Sequence, residues 1–291
     1  MIEYATFILT HGRPDRQYTY ETLKRLGYDR PLFFLIDDMD ETGAEYKKRY
    51  GDKVITFDKR RWYDLTDTMD VSGKMNVVVF ARNAVFEIAK SLGYRYIVVL
   101  DDDYMAFEHR YEANGKLKRI EPRKIGDLFE ASLQFLIDSG ITCYCWVQGG
   151  DFIGGLESNP WRKQVLRKMM NTYFFDCEKP VTFKGTLNED MVASLYHGLL
   201  GDVVLSSCDM SVKQEQTQQN AGGLTEAYLD MGTYVKSFYA VMMNPSCCTV
   251  QEMGDPISGN TRMHHRLRHV NAYPMIMSDR YRKGNRAAER R

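Results

Sequence analysis

Short apolar runs alternate with amphipathic stretches over the first sixty residues. β-rich apolar runs fill residues 4–10, 31–37 and 53–57 (YATFILT, PLFFLID and KVITF), which predicts three strands. Pro14 stands where the first turn of a helix tolerates proline, and that helix is expected to end near Gly27. A second helix follows the second run. This β-α-β-α-β order predicts a parallel sheet covered by helices on both faces.

A further series of elements follows an aperiodic stretch. Residues 58–73 are charged and aromatic and are predicted to form a loop. From Asn76 to Leu92 the apolar positions recur at helical spacing, with Gly93 where a left-handed cap would stand. The run RYIVVL at 95–100 predicts a central strand, and Asn114-Gly115 between two strand-like runs predicts a hairpin. The remaining predicted elements are a helix at about 124–139, a strand at 141–147, a glycine-rich loop at 149–155 and a helix after Asn159-Pro160.

Composition excludes several classes of protein. Hydrophobic residues at 44% and charged residues at 27% exclude a disordered, collagen-like or coiled-coil chain. No run approaches the ~18 apolar residues of a membrane span, and the N-terminus lacks a basic segment, so we expect a cytoplasmic protein without a membrane partner. The six cysteines show no zinc spacing and are expected to be reduced thiols.

Charge is unevenly distributed along a chain whose formal net charge is zero. Residues 262–291 contain nine basic and two acidic side chains, which gives this stretch +7 and the rest of the chain −7. A basic end on an acidic body is typical either of a surface that meets a polyanion or of a solvated tail.

Three consecutive carboxylates, Asp101, Asp102 and Asp103, follow the predicted central strand. Open α/β sheets bind ligands beyond the carboxyl ends of their strands. A divalent cation relieves the repulsion among such carboxylates, and oxygen ligands suit Mg²⁺ or Mn²⁺, which then holds a diphosphate. In extended backbone Asp101 and Asp103 point one way, towards a metal, and Asp102 the other, towards a sugar hydroxyl. The alternative is a solvated acidic turn.

Other polar residues follow the first two strands. Thr10 and Arg13 follow the first strand, and Asp37 and Asp38 end the second. Because parallel strands end at the same edge, we expect these residues to lie with Asp101 along one crevice that accommodates a nucleotide.

Two cations precede the acidic triplet. Arg82, followed by Asn83, interrupts an apolar helical pattern, and either reaches a phosphate or extends to solvent. Lys74, beside Gly73 at the end of the predicted loop, is a weaker candidate for the same contact.

Two late motifs carry further candidate chemistry. Asn188, Glu189 and Asp190 open a predicted helix, where acids are favoured by the helix dipole alone. The functional alternative is a general base that takes a proton from an acceptor hydroxyl. The adjacent His264 and His265 either complete the coordination of a metal or lie on the surface.

Taken together, these motifs resemble those of the GT-A glycosyltransferases. The set comprises T-x-G-R-P after the first strand, A-R-N before Y-x-V-V-L-D-D-D, GGDFIGG, N-E-D and the late histidine pair. The segments NTYFFD, KPVTFKGTLNEDM, QTQQNAGGLTEAY, GTYVKSFYAVMMNPS and RMHHRL are more specifically similar to the TET-associated glycosyltransferases of bacteriophages. The similarity extends from about residue 6 to residue 274.

The resemblance implies a GT-A-type α/β fold with a Rossmann-like, mixed, mostly parallel sheet and helices on both faces. The sequence has no linker, repeat or low-complexity tract, so we expect one domain over 1–275 before a basic tail at 276–291. In this family a nucleotide-binding half would lie at about 1–103 and an acceptor and catalytic half at about 104–275. The resemblance also implies transfer of a hexose or pentose from a nucleotide sugar, expected to be a UDP-sugar, to the hydroxymethyl group of 5-hydroxymethylcytosine in DNA. An encoding phage would place the enzyme in the cytoplasm of its host cell.

Site roles carry over residue by residue from the resemblance. Asp101 and Asp103 would be the D-x-D acids that bind Mn²⁺ or Mg²⁺, Asp102 a ribose contact, and His264 or His265 the late metal ligand. Asp190 would be the base, with Glu189 its neighbour, and inversion is favoured over retention because a single base suffices. The loop residues that would border the sugar are Gly149, Gly150 and Asp151.

Other classes of function remain open from sequence. A transferase of the same chemistry acting on protein or glycan hydroxyls fits the zero net charge, since dedicated DNA-binding proteins are usually basic. An inactive GT-A binding module is a further alternative, against which the complete set of acidic motifs argues. A nucleotidyltransferase is less favoured because the first loop lacks a long glycine-rich phosphate cradle.

Overall fold

The structure is a computed structural model of the chain. It describes residues 2–69, 73, 75–214, 237–255 and 260–272, with backbone alone for 254–255 and 260–262. Lys74 and the predicted tail at 276–291 lie outside the described residues.

Ten strands of the described chain form one sheet and two more form a separate ribbon. They are β1 (Tyr4–Leu9), β2 (Leu32–Asp37), β3 (Val54–Phe57), β4 (Tyr96–Asp101), β5 (Tyr104–Ala113), β6 (Lys116–Ile120), β7 (Cys143–Gln148), β8 (Val165–Leu166), β9 (Thr172–Asp176), β10 (Val204–Gln214), β11 (Cys248–Asp255) and β12 (Asn260–Leu267). The helices are α1 (Tyr18–Arg25), α2 (Gly43–Tyr50), α3 (Lys59–Leu65), α4 (Val79–Ser91), α5 (Ile125–Ser139), α6 (Asn159–Lys163) and α7 (Glu189–Leu199), and residues 237–243 are also helical.

The large sheet is mixed and has the order β3-β2-β1-β4-β9-β7-β10-β5-β6, with β8 paired to β10. The strands β3, β2, β1 and β4 run parallel, in the 3-2-1-4 order with which a Rossmann sheet begins. β7 and β10 are also parallel, whereas β9, β5 and β6 join their neighbours antiparallel. The separate ribbon is formed by β11 and β12.

Helices cover both faces of this sheet. Along β4, Ile97 and Val99 pack in an apolar cluster that includes α4. Val98 and Leu100 point to the opposite face and pack in a second cluster with α1 and α5. A strand buried on both sides reads as a continuous apolar run, which is why its central position was predictable. The predicted α/β class, a Rossmann-like sheet between two layers of helices, is confirmed.

Most predicted elements are present, with two corrections. Pro14 does not lie in the first turn of a helix, because α1 begins at Tyr18. The loop predicted at 58–73 contains α3. Its helix begins because the side chain of Asp58 accepts a hydrogen bond from the Arg61 amide at 2.8 Å, which caps the first turn. The hairpin at Asn114-Gly115 is confirmed, with both residues at positive φ as such a two-residue turn requires.

Two further expectations concern cysteines and membranes. All six cysteines are buried free thiols. Of the helices that the structure describes, none combines the length and the apolar character needed to cross a membrane. The division into two halves stays a prediction.

Candidate functional site

The acidic triplet lies at the carboxyl end of β4, in the turn before β5. Asp101 and Asp103 are half-buried, whereas Asp102 is buried. The extended backbone expected across the triplet is not observed: β4 ends at Asp101, and Asp102 and Asp103 lie in the turn, where the three carboxylates have different partners.

Asp102 is tied to the loop after β1. Thr10 donates its hydroxyl hydrogen to Asp102 Oδ2 at 2.6 Å, and Arg13 Nη1 lies 3.2 Å from Oδ1. Since Thr10 gives its only hydrogen to the carboxylate, it accepts from the hydroxyl of Tyr46 at 2.7 Å and from Gln17 at 2.8 Å. Burial raises the pKa of Asp102, and Arg13 and Thr10 oppose that shift. Thr10 and Arg13, which were predicted to lie in one crevice with Asp101, are thus in direct contact with its neighbour Asp102.

Asp101 is held by the guanidinium of Arg82, which α4 places behind β4. Arg82 Nη2 lies 3.1 Å from Asp101 Oδ1, and its Nε donates to Glu189 Oε1 at 2.8 Å. The guanidinium also lies over the ring of Tyr173, 4.8 Å from its centroid. Arg82 is 5% exposed, which excludes the solvent-exposed alternative. Its Nη1 is buried and has no hydrogen-bond partner among the described residues.

The same guanidinium sets the charge state around Glu189. Burial disfavours a charged guanidinium, but nearby acidic groups, Asp101 first, hold the pKa of Arg82 well above its usual value. Burial raises the pKa of Glu189, and the charge of Arg82 opposes that rise. Arg82 thus connects Asp101, at the end of β4, to the start of α7.

Asn83 is a site residue to which the sequence assigned no role. Its side-chain amide forms two hydrogen bonds with the backbone of Phe183, accepting from the amide at 2.9 Å and donating to the carbonyl at 3.0 Å. The same amide donates to Thr66 Oγ1 at 3.1 Å. Its adjacency to Arg82 was the available signal. Arg82 and Asn83 together hold both the beginning of α7 and the segment before it.

Asp103 has a different environment. Among the described residues, Gln214 Nε2 donates a hydrogen bond to Asp103 at 3.3 Å. The side chain of Gln214 is hydrogen-bonded in turn to Asn171, and Asn171 to Gln148. No described cation lies within ion-pair distance of Asp103. Burial, followed by the charges of Asp101 and Asp102, raises the pKa of Asp103 to about 7.

The N-E-D motif begins α7. Asn188 adopts a left-handed conformation, with φ of 54°, and the helix starts at Glu189. Asp190 is half-buried, and one of its oxygens accepts a hydrogen bond from the Met191 amide at 2.7 Å. Glu189 is 8% exposed and points to Arg82. The two adjacent acids therefore differ in access to a substrate.

The acids that end β2 have separate positions. Asp37 is buried, 2.7 Å from His11 Nδ1 and 3.2 Å from Lys59 Nζ. Burial alone would raise the pKa of Asp37, but the hydrogen bond and charge of His11, together with Lys59, lower it. Asp38 is exposed and accepts from the Lys59 backbone amide at 2.9 Å. The structure gives Asp37 a structural ion pair and leaves Asp38 accessible.

The glycine-rich loop continues directly from β7. Gly149, Gly150 and Asp151 lie in a short 3₁₀ turn, and Asp151 pairs with Lys168 at 2.7 Å. A methyl group on Gly149 would come within 3.6 Å of the Arg110 guanidinium, so this turn packs closely against β5.

The histidine pair lies on the separate ribbon. His264 and His265 belong to β12, and His264 Nδ1 lies 2.7 Å from the His265 carbonyl oxygen, to which it donates. Within the described ranges, no group of three or more His, Cys, Asp and Glu side chains is arranged to hold a metal ion. The structure thus brings together the residues of β1, β4 and α7 but not the histidines with the acids, and the assignment of a histidine ligand stays a prediction.

The chain has weak similarity to several solved structures. A glucosyl-3-phosphoglycerate synthase from Mycobacterium tuberculosis in complex with Mn²⁺ and UDP-glucose is 12% identical, with 91% of this chain and 87% of that chain covered at a TM-score of 0.47. The same protein with Mg²⁺ and UDP is 12% identical, with 91% and 88% covered at 0.44. A cytidylyltransferase from Leptospira borgpetersenii is 15% identical, with 61% and 62% covered at 0.32.

A family match provides the assignment. No curated protein matches the chain. The sequence model of the TET-Associated Glycosyltransferase family matches residues 4–223, which include the acidic triplet, Arg82 and the N-E-D motif. The match confirms the predicted glycosyltransferase. The chain belongs to the TET-Associated Glycosyltransferase family.

Proposed function

We propose that this glycosyltransferase moves a sugar from a nucleotide sugar, a UDP-sugar, to the hydroxymethyl oxygen of 5-hydroxymethylcytosine in DNA. The observation that carries the proposal is the buried guanidinium of Arg82, which contacts Asp101 and Glu189 together. It joins Asp101, at the carboxyl end of β4, to the helix whose first turn contains the candidate base Asp190. Membership of the family supports the transfer of a sugar. The association of the family with TET-type oxygenases supports 5-hydroxymethylcytosine as the acceptor.

The donor set fits a hard divalent cation. Asp101 and Asp103 offer carboxylate oxygens, and Asp103 combines a raised pKa with the lack of a described cationic partner. An added cation would relieve the repulsion among the three adjacent carboxylates, and oxygen ligands suit Mg²⁺ or Mn²⁺. These two residues would hold the ion, which when bound supplies positive charge to the departing diphosphate.

Arg13 is an accessible cation of the crevice. A quarter of its side chain is exposed, and Asp102 holds one end of its guanidinium. Both oxygens of Asp102 already have partners, so its proposed ribose contact would use their remaining lone pairs. Arg13 is therefore positioned to bind anionic groups of the donor while Asp102 fixes its orientation.

Asp190 is a better candidate than Glu189 for the base. Glu189 is engaged by Arg82 and buried, whereas Asp190 is half-buried at the same helix start. Asp190 would remove the acceptor proton as the hydroxymethyl oxygen attacks the anomeric carbon. A single base of this kind suits attack opposite the leaving diphosphate and hence inversion, while retention is the alternative.

Mass spectrometry of digested DNA tests the function. DNA with 5-hydroxymethylcytosine is incubated with a panel of nucleotide sugars and Mn²⁺, beside matched DNA with unmodified cytosine. We expect a hexose or pentose mass increment on the hydroxymethylated base alone, lost with excess EDTA. Asp103→Ala should reduce the rate by about 10²-fold or more, as loss of an electrostatic stabiliser does. Full activity in EDTA would overturn the metal, and transfer only to protein or glycan hydroxyls would overturn the acceptor.

A further inference from the structure

The hairpin of β5 and β6 forms the outer edge of the large sheet. In its antiparallel register three pairs of residues lie directly opposite each other and share one face, here called the hairpin face. Its members are His109 with Ile120, Tyr111 with Lys118, and Ala113 with Lys116.

Aromatic and apolar side chains on the hairpin face are open to solvent. The rings of His109 and Tyr111 are stacked, with centroids 6.2 Å apart and an angle of 12° between their planes. Tyr111 is 37% exposed, and Ile120 is 57% exposed. Exposed apolar area of this kind is available to a partner, because removing it from water on binding is favourable.

Charge on the hairpin face has one sign. Lys116 and Lys118 are exposed and form no ion pair with described residues, and the face contains no carboxylate. The nearby acids are placed elsewhere: Glu108 pairs with two arginines on the opposite face, Glu112 is on that opposite face, and Glu121 pairs with Arg25.

The opposite face of the hairpin is already occupied. Leu117 packs against the cluster of Val147 and Phe152, and the guanidinium of Arg110 lies 4.5 Å from the Phe152 ring centroid. The hairpin is thus anchored to the glycine-rich loop by one side, which leaves the side with the lysines and the stacked rings for a partner.

We propose that the hairpin face binds the sugar-phosphate backbone of the acceptor DNA, a proposal that rests on the DNA acceptor of the proposed function. Lysines without acidic neighbours attract phosphates, and exposed rings stack on sugars and bases irrespective of sequence. A surface that binds a protein partner would instead combine an apolar patch with side chains of both charges at the rim of that patch. The hairpin face has two lysines and no acid, and that complementarity favours a polyanion.

The distance along β5 between the acidic triplet and the hairpin face determines which phosphates of the DNA the hairpin face would bind. β5 starts at Tyr104, directly after the acidic triplet. Tyr111 and Ala113 lie 8 and 10 residues beyond Asp103, which at about 3.3 Å per residue is roughly 26–33 Å. DNA rises about 3.4 Å per phosphate, so the hairpin face meets phosphates roughly 8–10 nucleotides from the modified base.

The test compares a double variant with a matched control. Lys116→Gln with Lys118→Gln removes the two charges of the hairpin face, and Lys47→Gln with Lys48→Gln removes two exposed lysines from α2. Binding of hydroxymethylated DNA is measured by fluorescence anisotropy at several salt concentrations without donor. Each lost phosphate contact lowers the salt slope by about 1, so the hairpin variant should lose about 2 and the control none.

Acceptor length supplies the second readout. With DNA of about 30 nucleotides, the KM of the hairpin variant should rise at least several-fold while kcat stays unchanged. With DNA of about 6 nucleotides, which is too short to reach the hairpin face, kcat/KM should equal that of the wild type. An unchanged salt slope, or equal losses on both lengths, would overturn the proposal.

The two proposals fail separately. If the wild type modifies hydroxymethylated DNA but the hairpin variant binds and turns over like the α2 control, the DNA acceptor stands and the hairpin face is excluded. If the wild type transfers no sugar to DNA, the proposed function fails, and the donor-free binding series still decides whether the hairpin face holds DNA.

Discussion

Replacing Arg82 with methionine removes the cation that the buried Glu189 and the half-buried Asp101 share. Arg82 contacts Asp101 at 3.1 Å and Glu189 at 2.8 Å, and the side chains of Arg82 and Glu189 are 5% and 8% exposed. Methionine fills much of the same volume but carries no charge. The variant therefore leaves carboxylates in an environment of low polarity without their counter-ion.

The expected loss of stability is large. Removing one partner of a buried ion pair costs about 3–5 kcal/mol, because the remaining charge stays desolvated. Native domains have about 5–15 kcal/mol of stability in total, so this loss is a large fraction of it. Most of the effect should come from Glu189, since the side chain of Asp101 is 24% exposed and water reaches it.

Urea denaturation followed by circular dichroism measures the loss, with Arg61→Met as the matched control. Arg61 forms two hydrogen bonds to Glu87 at 2.7 Å, but both side chains are largely exposed. Exposed pairs contribute little because solvent screens them, so the control should unfold close to the wild type. Adding Glu189→Gln to Arg82→Met should restore part of the stability.

Two outcomes would refute this reasoning. In the first, Arg82→Met unfolds at the same urea concentration as Arg61→Met. In the second, the added Glu189→Gln destabilises the Arg82→Met variant further. If Arg82→Met does not fold, Arg82→Lys replaces it, because lysine keeps the charge but cannot contact both acids. Its stability should lie between that of Arg61→Met and that of Arg82→Met with Glu189→Gln.

Three further expectations concern the base, the pH dependence and the tail. Asp190→Asn removes the proton acceptor, so transfer should be abolished while donor affinity, measured by calorimetry, stays near the wild type. His11 and Lys59 hold the pKa of Asp37 below its unfolded value of about 3.9. The stabilisation from Asp37 is therefore present above that pH and is lost as the pH falls through the lower folded pKa. Asp37→Asn should reduce the fall of the unfolding free energy at acid pH, and an unchanged fall would contradict this. Deleting residues 283–291, which contain four basic residues, should weaken DNA binding and its salt dependence without altering donor hydrolysis, whereas identical salt slopes would make the tail dispensable.

Elements with a local signal were predictable from the sequence. The strands of the parallel half have apolar runs, α4 has a 3.6-residue period, and the hairpin has Asn114-Gly115. The helix α3 was missed because its determinants are not periodic. It depends on the cap by Asp58 and on Lys59, whose buried ammonium reaches Asp37 on a neighbouring strand. Such a contact exists only after the sheet has formed.

The site was predictable to the extent that its chemistry lies in adjacent residues. Three aspartates in sequence and N-E-D at a helix start identify the acids without any knowledge of contacts. The partners of Arg82 lie 19 and 107 residues away in the chain, and Asn83 contacts a backbone 100 residues away. The sequence pattern indicated that Arg82 and Asn83 interrupt an apolar helix, but only the fold shows which acids Arg82 contacts.

Neighbouring arginines explain how the chain tolerates three consecutive aspartates at a buried strand end. Asp101 pairs with Arg82 from α4, and Asp102 points the other way to Arg13 from the loop after β1. Two of the three charges are thereby compensated from opposite sides of β4, while Asp103 has no cation among the described residues within ion-pair distance. Burial, followed by the charges of Asp101 and Asp102, raises the pKa of that carboxylate to about 7, so the uncompensated charge of the triplet lies at Asp103. We therefore expect Asp103 to gain most from an added divalent cation, and Asp103→Asn to stabilise the metal-free fold while it removes the response of that stability to Mn²⁺.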